Sequence, residues 1–235
     1  MLKKLTFKLI FKIISFFLIT FVVLSCFGVV AYKFINPSIT PLMLIRYFEN
    51  DKNIGIKKEW KNFDEISPNV FRACIAAEDA RFFSHDGIDW KAVENAQKYN
   101  EIHKGKKVHG ASTISMQTAK NTYLWNGRNF LRKGLEAYFT ILIEAVWDKK
   151  RILEIYVNII EWGNGIYGIE AASQKYFNKS AQNLTKKEAA LLAAILPNPR
   201  KYSAKNPSKY IQKQANSIQQ RMNSISLKKN LNKFN

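Results

Sequence analysis

The hydrophobic positions of this chain follow two patterns, an uninterrupted run near the N-terminus and helical spacing over the rest. Residues 13–32 are twenty consecutive positions without a charged side chain, and thirteen of them are Leu, Ile, Val or Phe. A helix of about 20 residues, rising about 1.5 Å per residue, spans the roughly 30 Å hydrocarbon core of a bilayer. The run therefore predicts a transmembrane helix.

The charges that precede this run predict its orientation. Four lysines come before it: Lys3, Lys4, Lys8 and Lys12. Because cytoplasmic flanks of membrane helices carry an excess of positive charge, residues 1–12 are expected in the cytoplasm and the rest of the chain outside. Two alternatives stay open, a signal peptide cleaved after Ala31 and lipoprotein processing at Cys26. The uncleaved anchor is favoured because the run is longer than the apolar region of a usual signal peptide.

The rest of the chain has the spacing and the start sequences of helices. Ser67 before Pro68 is typical of a helix start, with the serine as N-cap and the proline at the first helical position. Asp148 can cap a second helix, and Thr185 with Glu188 forms a capping box that opens a third. Alternating strand patterns are scarce, so we predict a mainly α domain.

Composition adds a strong positive charge to this picture. The chain has 37 Lys and Arg against 18 Asp and Glu, a formal net charge of +19. Such an excess favours an anionic partner, and nucleic acid, an anionic membrane surface and a phosphorylated substrate all meet that description. The two cysteines are not expected to pair, because Cys26 lies in the apolar run. Cys74 is expected to be a buried core residue.

The first segment with candidate chemistry is residues 78–89, where two acids stand at the expected end of an apolar helix. A carboxylate against an apolar surface has a raised pKa, which suits a general base. The helix dipole disfavours negative charge at this end, so Glu78 and Asp79 need a reason to be there. A pair of solvated surface acids is the alternative interpretation.

The second segment is residues 110–121, where a glycine and hydroxyl residues precede a helix. Backbone N–H groups and hydroxyls in this arrangement bind phosphate groups, although Ser112 and Thr113 are equally typical of an ordinary helix cap. Lys120 is expected on nearly the same face, two turns later. Residues 97–109, which carry several lysines, are predicted to form a mobile basic loop.

The third segment places three cations near one acid: Arg128, Arg132, Lys133 and Glu136. Such a group forms either a structural salt-bridge cluster or a clamp for an anion with a carboxylate beside it. Without further context the residues favour the structural interpretation.

Together these three segments resemble the peptidoglycan glycosyltransferase family, whose members have a lysozyme-like helical fold. The resemblance continues through further blocks at residues 154–158, 161–168, 188–193 and 196–199. The blocks follow the family's order over about residues 65–205, and the Glu-Trp-Gly-Asn-Gly sequence that begins at Glu161 is most similar to the monofunctional branch.

The resemblance implies inverting glycosyl transfer from a lipid-linked disaccharide, lipid II. Glu78 would be the general base that takes the proton from the acceptor 4-hydroxyl, whose oxygen attacks the donor anomeric carbon as undecaprenyl pyrophosphate leaves. Glu136 would be the second essential carboxylate, near the donor pyrophosphate. The resemblance also assigns substrate binding to these side chains: Asp79, Phe82, His85, Ser112, Thr113, Gln117, Lys120, Asn121, Arg128, Arg132, Lys133 and Asn158.

Two further expectations concern the donor pyrophosphate. No cofactor is firmly implied, but the resemblance admits a divalent cation, Mg or Mn, at this position. Many relatives have a lysine directly before the second glutamate, where this chain has Leu135. Lys133 or Arg128 must then supply that charge. Met116 replaces a common glutamine and is regarded as harmless.

The expected domain organisation has five parts: a cytoplasmic basic N-terminus (1–12), a transmembrane anchor (13–32), a linker with first helices (33–64), a peptidoglycan glycosyltransferase domain (65–210) and a basic C-terminal tail (211–235). The expected location is the bacterial inner membrane, with the catalytic domain on the outer side. Expected partners are lipid II, the growing glycan strand, the membrane and other cell-wall synthases, and nucleic acid is not among them.

Three other functions compete with this one. A lysozyme-like hydrolase would share the fold and a catalytic glutamate, but it would need neither a pyrophosphate clamp nor an anchor. A wall- or membrane-binding scaffold with a degenerate site conflicts with the retained Glu78 and Glu136. A nucleic-acid binder is suggested by charge alone and contradicted by export.

Overall fold

The N-terminal part of the chain is one long helix. The computed structural model describes residues 2–49, 54–103, 109–127 and 129–232. The chain divides into two units, Met1–Asn36 and Pro37–Asn235. In the first unit, the segment Lys8–Phe34 of the helix is 27 residues long and apolar enough to cross a membrane, which agrees with the predicted span. N-terminal signal sequences share this length and composition, so the helix is a candidate membrane anchor.

The second unit is mainly helical, as predicted. Over the whole described chain the helices are α1 (Leu2–Phe34), α2 (Pro41–Glu49), α3 (Pro68–Glu78), α4 (Trp90–Ile102), α5 (Ile114–Tyr123), α6 (Phe130–Val146), α7 (Lys149–Ile159), α8 (Ile169–Phe177), α9 (Lys186–Ile195), α10 (Lys209–Arg221) and α11 (Leu227–Leu231). Short 3₁₀ turns lie at Phe63–Glu65, Phe82–Ser84, Ala181–Asn183 and Met222–Ser224. Three short strands are β1 (Lys57–Lys58), β2 (Glu161–Gly163) and β3 (Ile166–Tyr167).

Local capping sequences start three helices where the sequence predicts them. Helix α3 begins at Pro68, and the Ser67 side chain accepts a hydrogen bond from a backbone N–H in its first turn. Asp148 caps α7 in the same way. Thr185 and Glu188 form the predicted capping box of α9. Each cap satisfies N–H groups that have no partner within their helix.

The three strands form one small sheet in the order β1-β3-β2. Strand β1 is parallel to β3, with Lys57 opposite Ile166, and β2 is antiparallel to β3. The turn between β2 and β3 requires glycine at Gly165, where φ is +71° and a Cβ atom would lie 2.6 Å from the carbonyl oxygen of Gly55. This sheet ties the segment that follows α2 to the chain after α7.

Helices α7 and α9 form the centre of the unit. In α7 the residues from Ile152 to Ile159 are buried apart from Glu154, and in α9 the run Ala189–Ile195 is buried throughout. Helices whose residues are buried on most faces are covered by neighbouring elements. Helix α3 packs on α9 and α10, and α5 packs on α6 and α7. Both cysteines are free, and Cys74 is fully buried in α3, as predicted.

One predicted segment has a different structure. The sequence predicts a mobile loop over residues 97–109, but α4 continues to Ile102, so this prediction is wrong for the part that α4 includes. The lysine in that part, Lys98, is compatible with a helix, because it forms an ion pair of 2.6 Å with Glu94 one turn earlier. Residues 104–108 lie outside the described residues.

The packing of α7 leads to a stability prediction. Ile155 has 0% exposure, so replacing it with alanine removes buried methylene groups and leaves a cavity. We expect Ile155→Ala to lower the free energy of unfolding by about 2–5 kcal/mol. Urea unfolding of the full chain in detergent, followed by tryptophan fluorescence, measures this change. Ile141→Ala on α6 is the matched control, because Ile141 is 59% exposed and should change the value by less than about 0.5 kcal/mol. Equal effects of the two variants would contradict the position of α7.

Candidate active site

Glu78 is the last residue of α3, it is partly buried, and its carboxylate has a polar partner on α5. The side-chain amide of Gln117 on α5 donates a hydrogen bond of 2.8 Å to Glu78 Oε2. The amide oxygen of Gln117 accepts in turn from the hydroxyl of Tyr156, at 3.3 Å. Because Tyr156 occupies the oxygen, the NH₂ group of Gln117 is directed to the carboxylate. The carboxylate of Glu78 is therefore held in a defined orientation.

The surroundings of Glu78 favour proton uptake. Burial raises the pKa of Glu78, and the nearby charge of Asp79 raises it further, while the Gln117 hydrogen bond and the charge of Lys120 lower it. Burial dominates, so the pKa of Glu78 lies above its ordinary value. A raised pKa at a helix end was the sequence-based expectation for this residue, and it is confirmed.

Asp79 caps the end of α3 and is buried more deeply than Glu78. Its two oxygens lie 3.0 and 3.1 Å from Nε2 of His85. Oδ2 also accepts a hydrogen bond of 3.0 Å from the backbone N–H of Ile114, the first residue of α5. The interpretation of Asp79 as a solvated surface acid is therefore wrong. Asp79 and His85 face each other and the start of α5, and both of their side chains are almost fully covered.

Glu136 lies in the interior of α6, with both oxygens bonded to cations of the same helix. Arg132 Nη1 lies 2.5 Å from Oε2, and Lys133 Nζ lies 2.6 Å from Oε1. The side chain of Glu136 is 4% exposed and that of Lys133 is 48% exposed, so the lysine stem reaches from the buried carboxylate to the surface. Arg128, the third predicted cation, lies outside the described residues.

Lys120 connects the two carboxylates electrostatically. It lies on α5, three residues after Gln117, and is half-buried. Burial lowers the pKa of Lys120, and the charges of Glu136 and Glu78 oppose this by stabilising the ammonium. Both carboxylates are thus within electrostatic range of one ammonium group.

Three adjoining cavities form a groove that extends from Glu78 to the cations of α6. One of about 240 Å³ is lined by Glu78 and Arg81, among others, and a larger one of about 620 Å³ is lined by one face of α4 and Lys133. A third of about 430 Å³ is lined by Arg132 and Lys133. Residues 110–112 line both the first and the second cavity, and Lys133 lines both the second and the third. Glu78 therefore lies at one end of the groove and the α6 cations at the other.

Hydroxyl residues at the start of α5 separate into two roles. Ser112 is exposed and forms part of the groove wall shared by two cavities. Thr113 is buried, because its hydroxyl donates to the carbonyl of Gly87 and accepts from the N–H of Met116 as the α5 N-cap. Asn121 is also buried, two turns further along α5. Ser112 is the exposed one of these three, and Thr113 contributes only a small surface to the wall of the Glu78 cavity.

Two predicted substrate-binding residues lie in the interior, and that prediction is corrected for them. Phe82 and Asn158 both have 0% exposure, so neither side chain is able to contact a ligand in the groove. The amide of Asn158 instead donates to the backbone carbonyls of Lys61 and Glu154 and accepts from the N–H of Lys61. These bonds attach the segment before α3 to α7.

The donor set at Glu136 does not fit a metal ion held by the protein. Both carboxylate oxygens already accept from Arg132 and Lys133, whose charges would repel a divalent cation. Within residues 2–49, 54–103, 109–127 and 129–232, no group of three or more His, Cys, Asp or Glu is placed to hold a metal. No step of the chemistry below is assigned to one.

Several residues of the groove were missed by sequence reasoning. Arg81 and Asp89 form an ion pair of 3.2 Å at the wall next to Glu78. The α4 wall includes Val93, Ala96 and Asn100, which recur at helical spacing, and of these three Asn100 falls in the segment 97–109 that was interpreted as a loop. Interpreting the start of that segment as helix would have extended this face to Asn100. Tyr156 was missed as well, because no local pattern in the sequence links it to Gln117.

Comparison with known proteins agrees with this geometry. The chain matches the family model described as Transglycosylase over residues 48–223. It is 53% identical over 194 residues to a biosynthetic peptidoglycan transglycosylase of Bdellovibrio bacteriovorus, with 81% of this chain and 77% of that protein covered. Proteins of the same name from Caulobacter vibrioides (52% over 191 residues, 81% of each chain) and Shewanella oneidensis (47% over 202 residues, 86% of each chain) are also similar. The chain therefore belongs to the transglycosylase family, of which these peptidoglycan enzymes are members.

Proposed function

We propose that this chain polymerises lipid II into β-1,4-linked glycan strands of the bacterial cell wall and releases undecaprenyl pyrophosphate. The observation that carries the proposal is the groove, which has a partly buried carboxylate with a raised pKa at one end and a group of cations at the other. A hydrolase needs the carboxylate but not the cations. A transferase that expels a pyrophosphate needs both. Family membership supports the same activity.

Glu78 acts as the general base in this proposal. The acceptor sugar occupies the cavity lined by Glu78, Arg81 and residues 110–112, with its 4-hydroxyl at the carboxylate. As the hydroxyl oxygen attacks the donor anomeric carbon, its proton passes to Glu78. The raised pKa makes the carboxylate a stronger base, while the Gln117 hydrogen bond keeps it ionised and oriented before the reaction.

The cations of α6 stabilise the leaving pyrophosphate. Lys133 lines the two cavities farther from Glu78, and its ammonium is available to an anion there. Arg132 lines the cavity of about 430 Å³, and Lys120 adds positive charge between the two ends of the groove. Glu136 is a positioning residue in this scheme, because its buried carboxylate holds the guanidinium of Arg132 and the ammonium of Lys133 in place. Ser112 is proposed to contact the sugars between the two ends.

The remaining predicted residues are proposed to support the reacting groups. We assign Asp79 and His85 to positioning, because their side chains bond to each other and to the start of α5. Thr113 is the N-cap of α5, and Asn121 is buried within that helix. The five-part domain organisation, with a transferase domain over residues 65–210, stays a proposal, as do the growing strand and other cell-wall synthases as partners.

The role of Glu78 leads to a prediction that separates synthesis from cutting. Glu78→Gln retains the shape and the contact with Gln117 but is unable to take a proton. We expect a folded protein that binds lipid II and forms polymer about 10²–10⁴-fold more slowly, the usual contribution of a general base. Gel separation of polymer from lipid II measures the rate. Glu94→Gln, at an exposed acid on α4, is the control and should retain wild-type activity.

The same assay includes mature cell wall as a second substrate. Under the proposal, neither the wild type nor Glu78→Gln releases soluble fragments from it. A wild type that digests mature wall and leaves lipid II untouched would replace the synthase with a hydrolase.

The α6 cations lead to a second prediction. Lys133→Gln removes one charge and leaves the Arg132–Glu136 pair intact, so the buried carboxylate stays neutralised. Because a charge-assisted hydrogen bond contributes about 1.5–3 kcal/mol, we expect kcat/KM for lipid II to fall roughly 10- to 150-fold. Initial polymerisation rates at several lipid II concentrations measure this. Lys98→Gln, at an exposed lysine on α4, is the control. Unchanged kinetics in folded Lys133→Gln would mean that the cluster is structural.

The apolar N-terminal helix leads to a third prediction, about processing and orientation. We propose that the helix stays attached as an anchor, with residues 1–12 in the cytoplasm and the domain outside. Mass spectrometry of the membrane-extracted protein should then find the N-terminal peptide, and externally added protease should cleave the domain in spheroplasts. A mature N-terminus at Cys26 or Tyr32 contradicts the anchor, and protection of the domain contradicts its orientation.

A further inference from the structure

A buried ion pair lies behind the groove, between Lys149 and Glu144. Lys149 is the first residue of α7, Glu144 lies in the last turns of α6, and Nζ and Oε1 are 2.7 Å apart. The two side chains are 4% and 9% exposed. Removing two charges from water is costly, and apolar side chains of similar volume are often at least as stabilising as a buried pair. Stability alone is therefore a poor explanation for this pair.

Each member of the pair holds a different segment of the site. The ammonium of Lys149 donates a hydrogen bond of 2.8 Å to the backbone carbonyl of His85 and lies 4.6 Å from the ring centroid of Phe82. The carboxylate of Glu144 accepts a hydrogen bond from the hydroxyl of Ser115 in the first turn of α5. The pair thus bonds both to the turn that follows Asp79 and to α5.

The turn is packed directly on α6 as well. Gly87 has a φ of +91°, and a Cβ atom there would lie 2.7 Å from the methyl group of Thr140 and 2.9 Å from Cγ of Glu144. The turn therefore approaches α6 as closely as a glycine allows. It has little room to move while the Lys149 ammonium holds the carbonyl of His85.

These contacts lead to the proposed base through α5. His85 bonds to Asp79, and Asp79 accepts from the N–H of Ile114, so the start of α5 is held by Asp79 and, through Ser115, by Glu144. Gln117, which donates to Glu78, is less than one turn further along the same helix. A shift of this first turn therefore changes the contact between Gln117 and Glu78.

We propose that the Lys149–Glu144 pair positions the reacting groups, by holding the turn at residues 82–87 and the start of α5 where Gln117 orients Glu78. The inference rests on the proposed role of Glu78. Neither member of the pair lines the three cavities described for the groove, so both act through other residues.

The informative variant replaces both members at once. Lys149→Met alone leaves the charge of Glu144 buried without a partner, which is expected to destabilise the fold. In Glu144→Gln/Lys149→Met no buried charge is left over, and the glutamine oxygen still accepts from Ser115. We expect thermal unfolding near the wild-type temperature, a kcat about 10- to 100-fold lower, and a KM for lipid II within about twofold. Lys150→Met, at the next lysine of α7, which pairs with Asp64 at the surface, is the control.

The pH dependence of kcat/KM separates positioning from a general loss of structure. The charged or titratable groups that act on Glu78 are Asp79 and Cys74 from α3 and its end, Lys120 on α5, and Tyr156 on α7. The Gln117 hydrogen bond lowers the pKa of Glu78, so weakening that bond raises this pKa. The acidic limb of the profile should therefore move to higher pH in the double variant. A merely structural role would lower the profile without moving its limb.

A second variant keeps the test independent of the double replacement. Ser115→Ala retains the ion pair and removes only its bond to α5, so the limb should move in the same direction by a smaller amount. A wild-type kcat and an unmoved limb in the folded double variant, or an unmoved limb in Ser115→Ala, overturns the inference and leaves the proposed function standing. Failure of the wild type and of Lys150→Met to polymerise lipid II would instead overturn the proposed function.

Discussion

The carboxylate of Asp79 joins the end of one helix to the start of another. Helix α3 ends at Glu78 and α5 begins at Ile114, whose N–H group donates to Asp79. Negative charge is unfavourable at the C-terminal end of α3 but favourable at the N-terminal end of α5, so Asp79 is stabilised by the second helix at the position where the first opposes it. Glu78 lies on α3 and Gln117 lies on α5, so their relative position depends on the contact between Asp79 and Ile114.

The two glutamates of the site differ because their surroundings differ. Glu78 accepts a hydrogen bond from a neutral donor, Gln117, and burial raises the pKa of Glu78, which makes it suited to accept a proton. Glu136 is more deeply buried, but two cations bond to its oxygens. Its carboxylate therefore holds Arg132 and Lys133 in place. Separate roles for two carboxylates in one site follow from such differences in environment.

The sequence predicts the parts of the fold that depend on neighbouring residues. The caps at Ser67, Asp148 and Thr185 are local, and a hydroxyl or carboxylate before an apolar repeat is enough to locate the helix start. The end of α4 was missed because its last turns are mostly polar and are followed by several lysines, and their helical structure depends on i,i+4 pairs and on packing around the groove. Helix propensity in such a segment is a weak guide when the apolar repeat fades.

The candidate site was predictable in its residue types rather than in its geometry. The family resemblance identified Glu78 and Lys133, which line the groove, and Gln117 and Glu136, which bond to them. Burial is not readable from motif spacing, so Phe82 and Asn158 were assigned to the substrate although both lie in the interior. The ion pair between Glu144 on α6 and Lys149 on α7 is not readable from a local sequence pattern either, because the two residues belong to different helices.

Helix α5 shows why this arrangement has one well-defined geometry. Several of its buried side chains are polar, and Thr118 and Thr122 satisfy their own hydroxyls by donating to carbonyls one turn earlier, at 2.8 and 2.7 Å. Ser115 has a partner on α6, and Gln117 has partners on α3 and α7, so these bonds depend on where the helix lies. An unpaired buried polar group costs about 1–3 kcal/mol. A displacement of α5 breaks the bonds of both residues together with the contact to Asp79, and their combined cost restricts the helix to the position that the site requires.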